Sequence, residues 1–202
     1  MHITQPDAQL SDLIGSRICH DLISPLGAIS NGLELLSMSG LAGSTPELEM
    51  IADSVQNANA RVKFFRVAFG AAKPGQMTSG REIRQILAEL APGGRCQIDW
   101  QVEGDCERQM VKLAFLLIMC AETALPRGGT IAISNAGATW NLTASSDTIA
   151  LDGDLWGQLS GNTIADQIMP AQVQFMLAPM TAAAMARNLE FSQSDGQVSV
   201  RF

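Results

Sequence analysis

The chain has 202 residues, of which 47% are apolar and 16% charged, so it can bury a sizeable core and is not disordered. Thirteen basic against twenty acidic side chains give a net charge of −7, and the Lys and Arg residues are scattered rather than gathered in a stripe. That balance argues against nucleic-acid binding and against an anionic membrane surface.

The opening stretch "MHITQPDAQLSD" (1–12) lacks the basic and apolar blocks of a signal peptide, so a cytoplasmic location is expected. From Leu10 to Met38 the pattern is helical. At 100° per residue, Ile18, Leu26, Ile29, Leu33 and Leu36 fall within about 40° of Leu22 and form one apolar seam. A glycine-rich connection, "SGLAGST" (39–45), leads to a second helix. Thr45 suits its N-cap, Pro46 its first position, and Glu47 and Glu49 the positive end of its dipole. Leu48, Ile51, Val55, Ala58, Val62, Phe65 and Phe69 then recur at alternating spacings of three and four, a heptad seam. "GAAKPGQMTSG" (70–80) ends that helix and reads as a linker, dividing the chain into units at 1–74 and 75–202. Two such helices leave apolar seams uncovered. The second unit could cover them, but a second copy would complete a four-helix bundle, and a homodimer is expected.

In the second unit, "REIRQILAEL" (81–90) is an amphipathic helix capped by Ser79. "RCQIDWQVEG" (95–104) alternates Cys96, Ile98, Trp100 and Val102 as a strand. Residues 107–125 form a helix containing "LAFLLIMCA" (113–121), the longest apolar run and too short to span a bilayer. "PRGGTIAIS" (126–134) turns into a strand, and "ATWNLTAS" (138–145) alternates Trp140, Leu142 and Ala144 as another. The triplet Asp152-Gly153-Asp154 reads as a hairpin-like turn. Residues 164–189 read as mostly helical with breaks at Pro170 and Pro179, and the chain closes on a hairpin about Asp195-Gly196. Cys19, Cys96, Cys106 and Cys120 show no CxxC spacing and only two histidines accompany them, which points to free thiols and no metal site.

His20 lies about 160° from Leu22 on the helical wheel, opposite the seam, among Ser16, Arg17, Ile23, Ser24 and Gly27. Small and polar neighbours leave room for something to approach. Neutral imidazole is a nucleophile near neutral pH, and Asp21 beside it can orient the ring or handle its proton, given a favourable rotamer. Pro25 removes one backbone hydrogen bond and loosens the helix just past His20. On geometry alone, a solvent-exposed histidine beside an incidental kink fits equally well. Cys19 makes no nucleophile pair with His20, because adjacent helical residues point about 100° apart.

The segment "HDLISPLGAI" (20–29) closely resembles the phosphoacceptor box of histidine kinases, with its His, acid, Leu, Pro, Leu and Ile in place. The resemblance implies that His20 carries a phosphoryl group on a ring nitrogen, with Asp21 assisting. Ser24 stands four residues after the histidine, where related proteins carry Thr or Asn to position a hydrolytic water; serine also occurs freely on helix surfaces. Arg17 either contacts phosphoryl oxygens or an acidic receiver pocket, or is a solvated surface residue.

The element order of residues 81–202 resembles the kinase ATP-binding α/β sandwich, yet its nucleotide chemistry is missing. Counting back from Gly128-Gly129, the magnesium-binding asparagine of that domain falls on Cys120, a poor ligand, with Glu122 offset onto another face. Asp147 lacks the glycines that follow the adenine-binding aspartate, and "LSGNTIADQ" (159–167) offers one glycine where a phosphate cradle needs several. With "HDLISPLGAISNGLELL" and "RVKFFRVAFG" (61–70), the whole chain resembles the ChpT-like histidine phosphotransferases of bacterial phosphorelays. That resemblance implies an α+β fold: an N-terminal hairpin in a dimeric four-helix bundle, followed by a degenerate ATPase-like α/β domain. It implies phosphoryl relay through His20 between response-regulator receiver aspartates, with the receiver of a hybrid kinase as donor. It implies no cofactor of the chain's own, magnesium being supplied by the receiver. A divergent active sensor kinase and a non-enzymatic dimeric adaptor are the alternatives.

Overall fold

The computed structural model describes residues 5–39, 46–161 and 168–202. Two long helices, α1 (Gln5–Ser39) and α2 (Pro46–Ala68), pack against each other along their lengths. They run antiparallel: Gly32 of α1 meets Ile51 near the start of α2, while Asp21 meets Arg61 near its end. A side chain at Gly32 would come within 2.6 Å of Ile51 Cγ1, so a glycine lets the helices close there. The helix α1 continues through Pro25, which is buried in the hairpin. The expected Thr45 cap lies outside the described residues.

The second unit begins with a short strand β1 (Met77–Thr78), inside the stretch that reads as linker, and continues with α3 (Gly80–Leu90). Ser79 caps α3 by accepting from the Glu82 amide, and Ile83, Ile86 and Leu87 face inward. Next come β2 (Cys96–Trp100), the short β3 (Cys106–Glu107) paired with β1, and α4 (Arg108–Ala124). The strands β4 (Gly129–Ala136) and β5 (Thr139–Ser145) precede α5 (Gly153–Leu159) and α6 (Val173–Ala184), and the hairpin of β6 (Glu190–Ser194) and β7 (Gln197–Arg201) closes the chain. The five main strands form one sheet in the order β2-β4-β5-β7-β6, with β2 and β4 parallel and the others antiparallel. The helix α4 supplies the crossover that a parallel pair requires. Gly129 stands where a side chain would come within 2.3 Å of the Ser145 carbonyl, which explains the glycine at the start of β4.

Two parts of this unit differ from the sequence reading. Asp152-Gly153-Asp154 is not a hairpin-like turn: the Asp152 carboxylate accepts from the Asp154 and Leu155 amides and caps α5. Asp before Gly suits a turn and an N-cap equally, and α5 is only seven residues long, too short for its periodicity to decide. Pro170 opens a 3₁₀ turn (Pro170–Gln172) ahead of α6, but Pro179 does not break the helix as expected: α6 runs through it.

The core lies around α4, which is buried on nearly all sides between the sheet and the helices α2 and α6. A helix apolar all round is one enclosed all round, which accounts for "LAFLLIMCA" without a membrane. The last turns of α2 belong to this core. Phe64 stacks on Phe115 of α4 with ring centroids 4.7 Å apart, and Phe65, Val67 and Ala68 are buried with it. Arg108 and Lys112 of α4 donate to the carbonyls of Arg66 and Gly70, placing cations at the negative end of α2. Around Arg17 and Ile18, α1 also meets the second unit, but much of the two apolar seams has no such cover. Leu26, Leu33, Leu48, Val55 and Val62 remain 40–57% exposed along the two seams.

Candidate functional site

The side of α1 away from its seam presents His20, whose side chain is 79% exposed. Asp21 beside it is only 9% exposed and is gripped from three directions. Its Oδ1 lies 3.0 Å from His20 Nδ1, its Oδ2 accepts from Arg17 Nε at 2.9 Å, and Arg61 Nη1 of α2 stands 3.8 Å from the same oxygen. A carboxylate can only accept, so the hydrogen of the first contact sits on His20 Nδ1. In the neutral imidazole this tautomer leaves Nε2 without a proton, on a side chain that is largely exposed. The contact between neighbouring residues thus adopts the rotamer that the sequence required of it.

The Arg17 side chain is mostly buried, at 17% exposure. It pairs with Asp21, and its Nη1 donates to the Ala171 carbonyl in the turn before α6, tying the histidine helix to the second unit. Gln174 Nε2 donates to the same carbonyl. Ser24 is exposed in an open groove of about 460 Å³ between α1 and α2, which it shares with His20, Asp21, Asn57 and Arg61. Sequence reasoning missed Asn57 and Arg61. They stand four residues apart on α2, off its heptad seam, and Asn57 Oδ1 accepts from Arg61 Nε at 2.9 Å. The only local signal was that Arg61 opens "RVKFFRVAFG".

Behind Asp21 a cleft of about 200 Å³ lies where the hairpin meets α3, α4 and β2. Arg17, Asp21, Arg61, Arg95 and Glu122 all line it. Burial pushes the Glu122 carboxyl above its ordinary value, with Arg61, Arg17 and Arg95 pulling the other way. Glu122 does face away from Cys120, as its offset predicts, and it faces this cleft. Cys120 is fully buried, and burial pushes its thiol well up, so no thiolate is offered to a metal. Asp147 sits on an exposed loop after β5, and most of the expected glycine-poor segment, residues 162–167, lies outside the described residues. Among the described residues no group of three His, Cys, Asp or Glu could hold a metal ion, and no helix is long and apolar enough to cross a membrane.

A family model for the histidine phosphotransferase C-terminal domain matches residues 80–197. The chain is 35% identical over 138 residues to the protein phosphotransferase ChpT of Brucella abortus (strain 2308), covering 67% of this chain and 65% of that protein. The match thus spans a little under two thirds of the relative's length. A 1.7 Angstrom structure of a bacterial phosphotransferase aligns with a TM-score of 0.80 at 25% identity, over 100% of this chain and 98% of that one.

Proposed function

This chain belongs to the histidine phosphotransferase family, and from that premise we propose that it relays a phosphoryl group between response-regulator receiver domains through His20. The observation that carries the reading is the pairing of an exposed imidazole with a recessed carboxylate at its Nδ1, which frees Nε2 for attack. His20 Nε2 attacks the phosphorus of a receiver's aspartyl phosphate. The N–P bond forms as the P–O bond to the aspartyl carboxylate breaks, and that carboxylate leaves with its electron pair. The ring keeps its Nδ1 proton and becomes cationic, and Asp21 offsets the charge at 3.0 Å. A second receiver's aspartate takes the group by the reverse path. The receivers bring the magnesium, and the receiver of a hybrid kinase serves as donor.

A homodimer is part of this proposal. The exposed seam residues Leu26, Leu33, Leu48, Val55 and Val62 would be buried by a second hairpin, giving a four-helix bundle with two outward histidines. The hairpin to residue 74 then carries the chemistry, and 75–202 is a degenerate ATPase-like domain that works without nucleotide. The burial of Cys120 at the magnesium position supports that second point. Four free cysteines suit a cytoplasmic setting.

The test is transfer from a radiolabelled phosphorylated receiver domain to the full chain. Wild type acquires acid-labile label and passes it to a second receiver, while a His20→Ala variant acquires none. Relay by His20→Ala would leave an adaptor as the better reading. Labelling of His20 by ATP and magnesium alone would make the protein a kinase.

A further inference from the structure

Asp21 is held by two arginines from different helices, and the phosphoacceptor box accounts for neither. Arg17 precedes Asp21 by four residues on the same helix and donates to its Oδ2 at 2.9 Å, so it constrains that side chain from α1. Asp21 holds the rotamer in which Oδ1 reaches the Nδ1 of its own sequence neighbour at 3.0 Å. The second constraint comes across the hairpin. Asn57 fixes the Nε edge of Arg61 at 2.9 Å, which aims its Nη1 at Asp21 Oδ2.

We propose that Arg61, oriented by Asn57, is a positioning residue for phosphotransfer: it locks Asp21 from the α2 side so that His20 keeps its proton on Nδ1 and its lone pair on Nε2. The inference rests on the phosphotransfer reading and deepens it. Arg61 acts on the ring through Asp21 and does not touch the reacting atoms in this arrangement. It lines both the His20 groove and the cleft behind Asp21, so it stands between the histidine and the second unit. In that cleft Arg61 also faces Glu122 of α4, whose carboxyl burial pushes up while Arg61 pulls it down. Lock and chemistry come from two helices: His20 and Asp21 from α1, Asn57 and Arg61 from α2.

Phosphoramidate, a small donor that phosphorylates accessible imidazoles, tests this on the full chain without any receiver. The rate of His20 phosphorylation is followed by mass spectrometry for wild type, Arg61→Gln, Asn57→Ala, Asp21→Asn and the Asp21→Asn/Arg61→Gln double variant. Arg61→Gln slows labelling up to about fivefold, the effect of losing a part-exposed ion pair, and Asn57→Ala slows it less. Arg61→Gln adds no further slowing in the Asp21→Asn background, because its effect passes through Asp21. Imidazole ¹⁵N NMR of the unphosphorylated protein shows the Nε2–H tautomer gaining population in Arg61→Gln, a change that a merely structural role would not produce. Losses that add in the double variant, or a rate and tautomer balance equal to wild type in Arg61→Gln, overturn the proposal. Failure of wild type to label at His20 overturns the phosphotransfer reading as well, and so separates the two.

Discussion

Replacing Leu33 by aspartate is expected to convert the protein from dimer to monomer. Leu33 is 55% exposed on the seam of α1. Full burial of a leucine side chain contributes about 1.5–3 kcal/mol, so roughly 1 kcal/mol per copy remains to be gained at an interface. The five exposed seam residues, each present twice in a two-fold dimer, therefore offer gross burial on the order of 10 kcal/mol. Association itself costs about 4–15 kcal/mol, so the margin is small. An aspartate at position 33 removes two leucines and forces two carboxylates into the seam, at several kcal/mol for each desolvated ion. That exceeds the margin. Sedimentation velocity at micromolar concentration measures it, with Asn31→Asp on the opposite face of α1 as the control that stays dimeric. A monomeric wild type, or a dimeric Leu33→Asp variant, would refute the reasoning.

Three further outcomes are expected. Asp21→Asn keeps the shape of the carboxylate but loses the charge that offsets the cationic ring, and phosphoramidate labelling of His20 slows about 10- to 100-fold; an unchanged rate would mean that Asp21 is a spectator. Phe115→Ala removes a fully buried ring stacked on Phe64 and edge-on to Trp100, at a cost of about 3–5 kcal/mol in urea unfolding, with the helical and tryptophan signals lost together. Two separated transitions in wild type would show instead that the hairpin and the α/β unit do not share a core. Glu122→Gln removes a carboxyl whose value is raised by burial. The unfolded chain loses that proton first, near pH 4.5, so the folded state binds more protons above it and stability falls as pH rises through the raised folded value. Thermal melts should show the variant gaining on wild type over that window and holding the gain toward neutral pH, and parallel curves would refute the assignment.

Much of this arrangement was legible along the chain. The alternation of Cys96, Ile98, Trp100 and Val102, and of Trp140, Leu142 and Ala144, placed two strands because a sheet face repeats every two residues. The wheel position of His20 placed it on the open side of α1 because an unbroken helix keeps its angular register. Short elements were not legible. The strands β1 and β3 have two residues each, and α5 opens on a triplet that suits a turn as well as a cap.

The amino-acid order alone determined that a helix would turn His20 away from its own apolar seam with an acid at its side. Periodicity and nearest neighbours are local, and both survive whatever the rest of the chain does. That an arginine of the second helix also holds that acid was decided only by the tertiary structure. Arg61 stands 40 residues from Asp21, and Glu122 stands a further 61 residues along on α4. These side chains meet only because Phe64 and Phe65 of α2 pack into the core built around α4, and the same packing ties Arg17 to Ala171. A contact between elements depends on how their faces pack, and no spacing within one element records it.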